Sequence, residues 1–309
     1  MTAGLRTLLA GIVDYAGLFP PAGLPLETAL RDYVRYGDEP EAWMLGRFVI
    51  PAARLEELAP LAGLFPDTST LTFSALGRGG AARADFLAGL AEDMRAIESF
   101  QERHGRGVRV DAFEVRLPAD ALGPGGDLPR LLDEAARPLE DACTACLPVY
   151  FEAPAADAAR TAVALEGRRN RGFKLRCGGL KAGDFPAAAD VAAALTACID
   201  SGVPFKATAG LHHALPRFDK DLQARMHGFV NLAVAGALSC ALGLDADQVR
   251  VILEDDRPGS FAFDDGGVGW RDDRATVAEV AAARRDAVVS FGSCSFDEPR
   301  EELRALGWL

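Results

Sequence analysis

"FPAAADVAAALTACIDSGVPFKAT", residues 185–208, is the stretch on which the fold turns. Val191, Ala194, Leu195 and Cys198 recur at three- and four-residue spacing, so its first part reads as an amphipathic helix. Its last six residues read as a short buried strand in which Val203, Phe205 and Ala207 flank a lysine, Lys206. The same pairing of helix and strand recurs along the chain. Strands are expected at 11–15, 46–50, 70–76, 108–117, 147–153, 172–176, 203–208 and 287–292, with helical patterns such as "PLETALRDYVRY", "ADFLAGLAEDMRAIESFQER" and "ATVAEVAAARR" between them. Alternating strands and helices imply a parallel sheet, and eight units in 309 residues favour a closed (β/α)8 barrel of the TIM type, in the α/β class. A doubly wound open sheet is the alternative. One pair of runs, "VRVILEDD" and "FAFDDGGVGW", is left over and is read as a hairpin inserted near 249–270. No linker or low-complexity tract divides the chain, so residues 1–309 are expected to form one domain.

Composition narrows the function. A net charge of −12 argues against nucleic-acid or anionic-membrane surfaces, which need clustered Lys and Arg. No uninterrupted apolar run reaches the roughly 18 to 20 residues of a membrane span, and the opening "MTAGLRTLLAGIVDYAGLF" reads as part of the fold instead of a secretion signal. Six scattered cysteines in a core-rich chain suggest reduced thiols and a cytoplasmic location. Cys143 and Cys146 form a CxxC without a partner pair, and are read as core residues on a helix. The expected partner is a small molecule, with homo-oligomerisation through an apolar end at Trp308 and Leu309 as a further option.

In a barrel the site lies at the C-terminal ends of the strands. Those ends carry Asp14 and Tyr15, Arg47, Glu114 and Arg116, Tyr150 and Glu152, Lys174 and Arg176, and Lys206 and Thr208. Residues two apart share a face, and charges facing the helices would be badly desolvated, so the charged members are expected to point inward and pair. Glu114, Glu152, Lys174 and Lys206 would then form a cage. Its bland interpretation is purely structural. The chemical one is that each ammonium, together with a low-polarity wall, pulls the other lysine below its usual value of about 10.4, giving an amine that attacks a carbonyl.

Three short motifs extend this reading: "GFKLRCGG" around Lys174, "FKATAGL" around Lys206, and "VSFGSCSF" with Gly292, Ser293 and Ser295. With "VYFEA" at Glu152, they resemble the deoxyribose-phosphate aldolases, class I aldolases, over about residues 108–296. The resemblance implies a Schiff-base lysine at Lys174, a second lysine at Lys206 and a phosphate turn at 292–295. The family's additional lysine on strand five is Pro148 here, and Arg176 follows Lys174.

The histidines suggest a different chemistry. His212, His213 and His227 fall within one segment, and with a carboxylate such as Glu152 or Glu254 they would make an open site for a divalent transition metal. Glu254 is expected to be the one inward-facing acid of the acidic stretch 253–267. "FGSCSFDEP" offers backbone amides for an anion, with Ser295 and Glu298 as a capping box.

The leading expectation is therefore an enzyme of lyase, aldolase or isomerase type acting on a small anionic carbonyl or phosphorylated compound, with no organic cofactor. Lys174, Lys206, Glu152, His212 and His213 are its catalytic candidates. Arg176, Arg47, Glu114, Thr208, Gly292, Ser293 and Ser295 are its binding candidates. A metal-dependent enzyme using His212, His213, His227 and Glu254, and a non-catalytic metabolite-binding barrel, are the alternatives.

Overall fold

The eight strand-like runs pair as parallel neighbours and close on themselves. In the computed structural model, which describes residues 1–65, 70–105, 107–123, 125–140 and 147–309, the barrel strands are β1 (Val13–Tyr15), β2 (Leu45–Pro51), β3 (Leu71–Leu76), β4 (Val108–Arg116), β5 (Val149–Glu152), β6 (Arg171–Arg176), β7 (Phe205–Thr208) and β8 (Val288–Ser293). Each pairs with the next, and β1 closes onto β8 through Val13 opposite Phe291 and Tyr15 opposite Ser293. The protein is a TIM-type α/β barrel. Cys143 and Cys146 lie outside the described residues.

A simple parity holds the strands in place. Phe48, Phe73, Phe113, Phe151, Phe173, Phe205 and Phe291, one from each of β2 to β8, are fully buried. Their immediate neighbours Arg47, Ser74, Glu114, Glu152, Lys174, Lys206 and Ser290 point the other way, into the barrel. The register keeps like beside like, with Phe173 opposite Phe205 and Lys174 opposite Lys206. A slip of one residue would exchange a phenylalanine for a charge at these positions. Each ring contributes about 2 kcal/mol by leaving water, so the register is strongly specified.

Helices cover the outside. The stretch 182–200 is long and apolar enough by composition to cross a membrane, but its helix, Ala188–Asp200, buries Val191, Ala192, Ala194, Leu195 and Cys198 against the rest of the fold. Helix Phe229–Leu242 is buried nearly all round, because a segment inserted before the last barrel helix covers it. That insertion corrects the expected hairpin. Residues 246–254 are a helix, Ala246–Glu254, started by an Asp245–Gln248 capping box and buried through Val249, Ile252 and Leu253. The run is rich in β-branched residues, yet its apolar spacing is helical. A three-stranded antiparallel sheet follows, Phe261–Asp264, Gly267–Trp270 and Asp273–Thr276, its first turn made by Asp265 and Gly266.

Two further expectations change here. Glu254 is exposed and pairs with Arg250; the buried acid of that stretch is Asp255, bound by Arg257 and by the Trp270 indole. Trp308 is not a free docking end, because its ring packs 5.0 Å from Phe263 and 6.1 Å from Phe261 of the small sheet.

Candidate active site

The inward residues assemble a charged floor across the barrel. Lys174 Nζ lies 2.8 Å from Glu114 Oε2 and 2.9 Å from Glu152 Oε2. Lys206 Nζ lies 3.3 Å from Glu114 Oε1 and donates to the Asp14 carboxylate and to Ser290 Oγ, the latter at 3.0 Å. Ser290 Oγ donates in turn to Asp14 Oδ2 at 2.7 Å, and Ser74 Oγ donates to Glu114. On the far side of Asp14, the Arg47 backbone N–H donates to Oδ1 at 2.6 Å, while the Arg47 guanidinium binds Asp111. Tyr150 completes the floor, its ring 5.8 Å from Lys206 Nζ.

This is the expected cage, but its electrostatics reverse the expected direction for Lys174. Burial alone disfavours the ammonium of Lys174, but the carboxylates of Glu114 and Glu152 outweigh it and raise the pKa. Glu114 answers in kind: burial pushes its carboxyl up, and the ammonium groups of Lys174 and Lys206 more than cancel that, holding it at about 2. Three carboxylates share two lysines, so attraction to the acids prevails over repulsion between the ammoniums. Lys174 therefore rests as a cation.

Above the floor lies a cavity of about 210 Å³. Lys174 and Glu114 reach it, and Arg176, Thr208, Gly292 and Ser293 form part of its wall. Arg47, Lys206 and Glu152 do not line it, Glu152 being the ion-pair partner of Lys174. Ser295 is also outside the wall; its Oγ accepts the Glu298 N–H at 3.1 Å in the first turn of the last helix, Asp297–Ala305, but the N-cap position is Phe296 and the Glu298 carboxylate turns to His212, so the expected capping box does not form. Arg176 has no acidic partner among the described residues and sits exposed at the mouth, two positions from Lys174 on the same face.

The histidines do not converge. His212 lines the cavity, with Nδ1 2.9 Å from Glu298 Oε2. Hydrogen bonding to Cys294 and then to Glu298 raises its imidazole to about 10 against the effect of burial. His213 Nδ1 meets Glu302 Oε1 at 2.6 Å, one turn further along the same helix. His227 is buried, its Nε2 on the Pro186 carbonyl at 2.8 Å, and burial lowers its pKa. Among the described residues no group of three or more His, Cys, Asp or Glu side chains is arranged to hold a metal ion. His212 and His213 instead dock the loop after β7 onto the last helix.

Asp14, Ser74, Asp111, Ser290 and Cys294 join the site beyond the candidates read from sequence. Asp14 and Tyr150 stand at strand ends, where a signal for them exists. The serines carry none, because a serine on a strand is equally common on either face. No family model matches the chain and no curated protein sequence matches it significantly, so what the site does is read from its own geometry.

Proposed function

We propose that the protein is a lyase of aldolase type, or an isomerase, that engages a small anionic carbonyl compound through Lys174. The observation that carries this reading is positional: of the two floor lysines, Lys174 reaches the cavity whereas Lys206 is sealed beneath it at 1% exposure. Arg176 supplies the fixed positive charge for the anionic group, and Thr208 with Gly292 and Ser293 at the end of β8 supplies hydrogen-bonding groups beside it. The resemblance to the deoxyribose-phosphate aldolases supports the same choice of lysine.

The resting ammonium of Lys174 must first lose a proton. Glu152 is the acceptor, at 2.9 Å and with Lys174 as its ion-pair partner, whereas Glu114 is too weak a base while it holds both lysines. The neutral amine adds to the carbonyl carbon, the former carbonyl oxygen leaves as water after protonation, and the resulting iminium takes up the electrons of a bond at its α-carbon: Cα–Cβ, with the β-hydroxyl losing its proton and the fragment leaving as an aldehyde or ketone, or Cα–H, with the proton passing to a base. Reprotonation of the enamine and addition of water return the amine. Lys206, Asp14 and Ser290 keep the floor rigid and hold Glu114 in place.

Reduction with sodium borohydride in the presence of pyruvate, followed by peptide mapping, tests this directly. A secondary amine at Lys174, absent in Lys174→Met, is the expected result. An adduct at Lys206 alone, or none across aldehydes and ketones that bind, would overturn the assignment without requiring the variant to fold.

A further inference from the structure

The cavity has two chemically different halves, divided by strand. Ala16, Phe19, Pro20 and Pro21 after β1, Val49 on β2 and Leu76 on β3 are apolar, and together they form one wall. The side from β4 to β8 carries all the charged groups, Glu114, Lys174, Arg176 and His212, together with Thr208, although Leu180, Ala209 and Leu211 also line it. The division follows from position along the strands. One step below the cavity, the inward residues of β1, β2 and β3 are Asp14, Arg47 and Ser74, all polar and all bound to partners in the floor. Two residues further on, the inward positions become Ala16, Val49 and Leu76. On β6 and β7 the same step leads from Lys174 to Arg176 and from Lys206 to Thr208, so the inward strand positions on that side stay polar.

A polyhydroxylated substrate would leave its hydroxyls against the first wall without partners, which is costly when water is excluded. A hydrocarbon substituent there is stabilised by leaving water. We propose that the substrate carries, beside its carbonyl and its anionic group, a hydrocarbon substituent that lies on the β1–β3 wall, as in a branched or straight-chain 2-oxo acid and unlike a sugar derivative. The volume of about 210 Å³ restricts that substituent to a few carbons. This inference rests on the reading of Lys174 and Arg176 for the orientation of the ligand.

Equilibrium binding of four probes by calorimetry tests it: pyruvate, α-ketobutyrate, hydroxypyruvate and α-ketoisocaproate. α-Ketobutyrate and hydroxypyruvate differ by a methyl in place of a hydroxyl, so their comparison isolates the wall. α-Ketobutyrate is expected to bind more tightly than hydroxypyruvate, and α-ketoisocaproate more tightly than pyruvate by at least about tenfold, from roughly fourfold per buried methylene. Val49→Thr, which keeps the shape of the wall, and Leu76→Asn should each shrink the advantage of α-ketoisocaproate over pyruvate severalfold. Equal affinities, a preference for hydroxypyruvate, or an undiminished advantage in both variants would overturn the proposal. Borohydride mapping on the same samples separates the two readings. Capture of pyruvate at Lys174 with no substituent preference sinks only the wall, and a clear preference with no capture sinks only the Schiff base.

Discussion

Replacing Glu114 by Gln removes one charge from the centre of the floor and keeps its shape. Two independent estimates give the cost. Glu114 titrates at about 2 in the fold against 4.5 unperturbed, and at about 1.4 kcal/mol per unit that difference corresponds to about 3 kcal/mol at neutral pH. Breaking a buried ion pair by removing one partner typically costs about 3 to 5 kcal/mol, and the low end applies because Glu152 still serves Lys174 and Asp14 still serves Lys206. With an unfolding entropy of roughly 650 cal/mol/K for a chain of this length, 3 kcal/mol lowers Tm by about 5 °C. The pH dependence fixes the cause. A depressed carboxyl stabilises the fold above its unfolded value, so the gap between wild type and Glu114→Gln should be full above pH 4.5 and close as pH falls toward 2. Urea denaturation of both proteins between pH 7 and pH 3 measures it. A variant within 1 °C of wild type at pH 7, or a gap that stays constant down to pH 3, would refute the electrostatic account of the floor.

Other consequences are as direct. Lys206→Met removes the ammonium partner of Asp14, leaving it bound to Arg47 and Ser290, and should cost about 3 kcal/mol or more, read by denaturation at pH 7. Gly172→Ala should destabilise the barrel by about 1 to 3 kcal/mol, since a Cβ there would meet the Tyr150 ring at 2.6 Å and the Pro204 carbonyl at 2.7 Å; an unchanged Tm would show that β6 yields more easily than its packing implies. The raised value of His212 means that its hydrogen bonding to Cys294 and Glu298 stabilises the fold fully below about pH 6.5 and ceases to do so as pH rises through about 10. NMR titration of the imidazole should find it protonated at pH 8, and His212→Gln should lose its stability deficit at alkaline pH.

The barrel was legible because its signal is redundant. Every strand from β2 to β8 sets a phenylalanine beside a residue of the opposite face, and the helices between them repeat at their own period. The insertion at 246–254 was misread because Val249, Val251 and Ile252 have β-branched chemistry, while the helical spacing of the buried residues is decided by what they pack on. The inward face of each charged residue and the cage of Glu114, Glu152, Lys174 and Lys206 could be read from a two-residue step, but which acids meet which lysine could not. That gap explains the error over Lys174: neighbouring lysines are visible on consecutive strands, whereas the convergence of Glu114 and Glu152 on the same nitrogen depends on register. The docking of His212 and His213 on Glu298 and Glu302 was hidden for a similar reason. Their four-residue spacing marks one face of a helix, but nothing in the sequence says which loop that face meets.

The link between Asp14 on β1, Lys206 on β7 and Ser290 on β8 spans the seam of the barrel, joining residues 192 and 276 positions apart. Until that seam closes, a partly assembled chain holds Lys206 away from Asp14 and must keep both hydrated, which opposes burial of the interior. Pairing the floor and sealing the barrel are thus one cooperative event. An open half-barrel leaves this link unmade, so the contact that joins the first strand to the last is also one that completes the site.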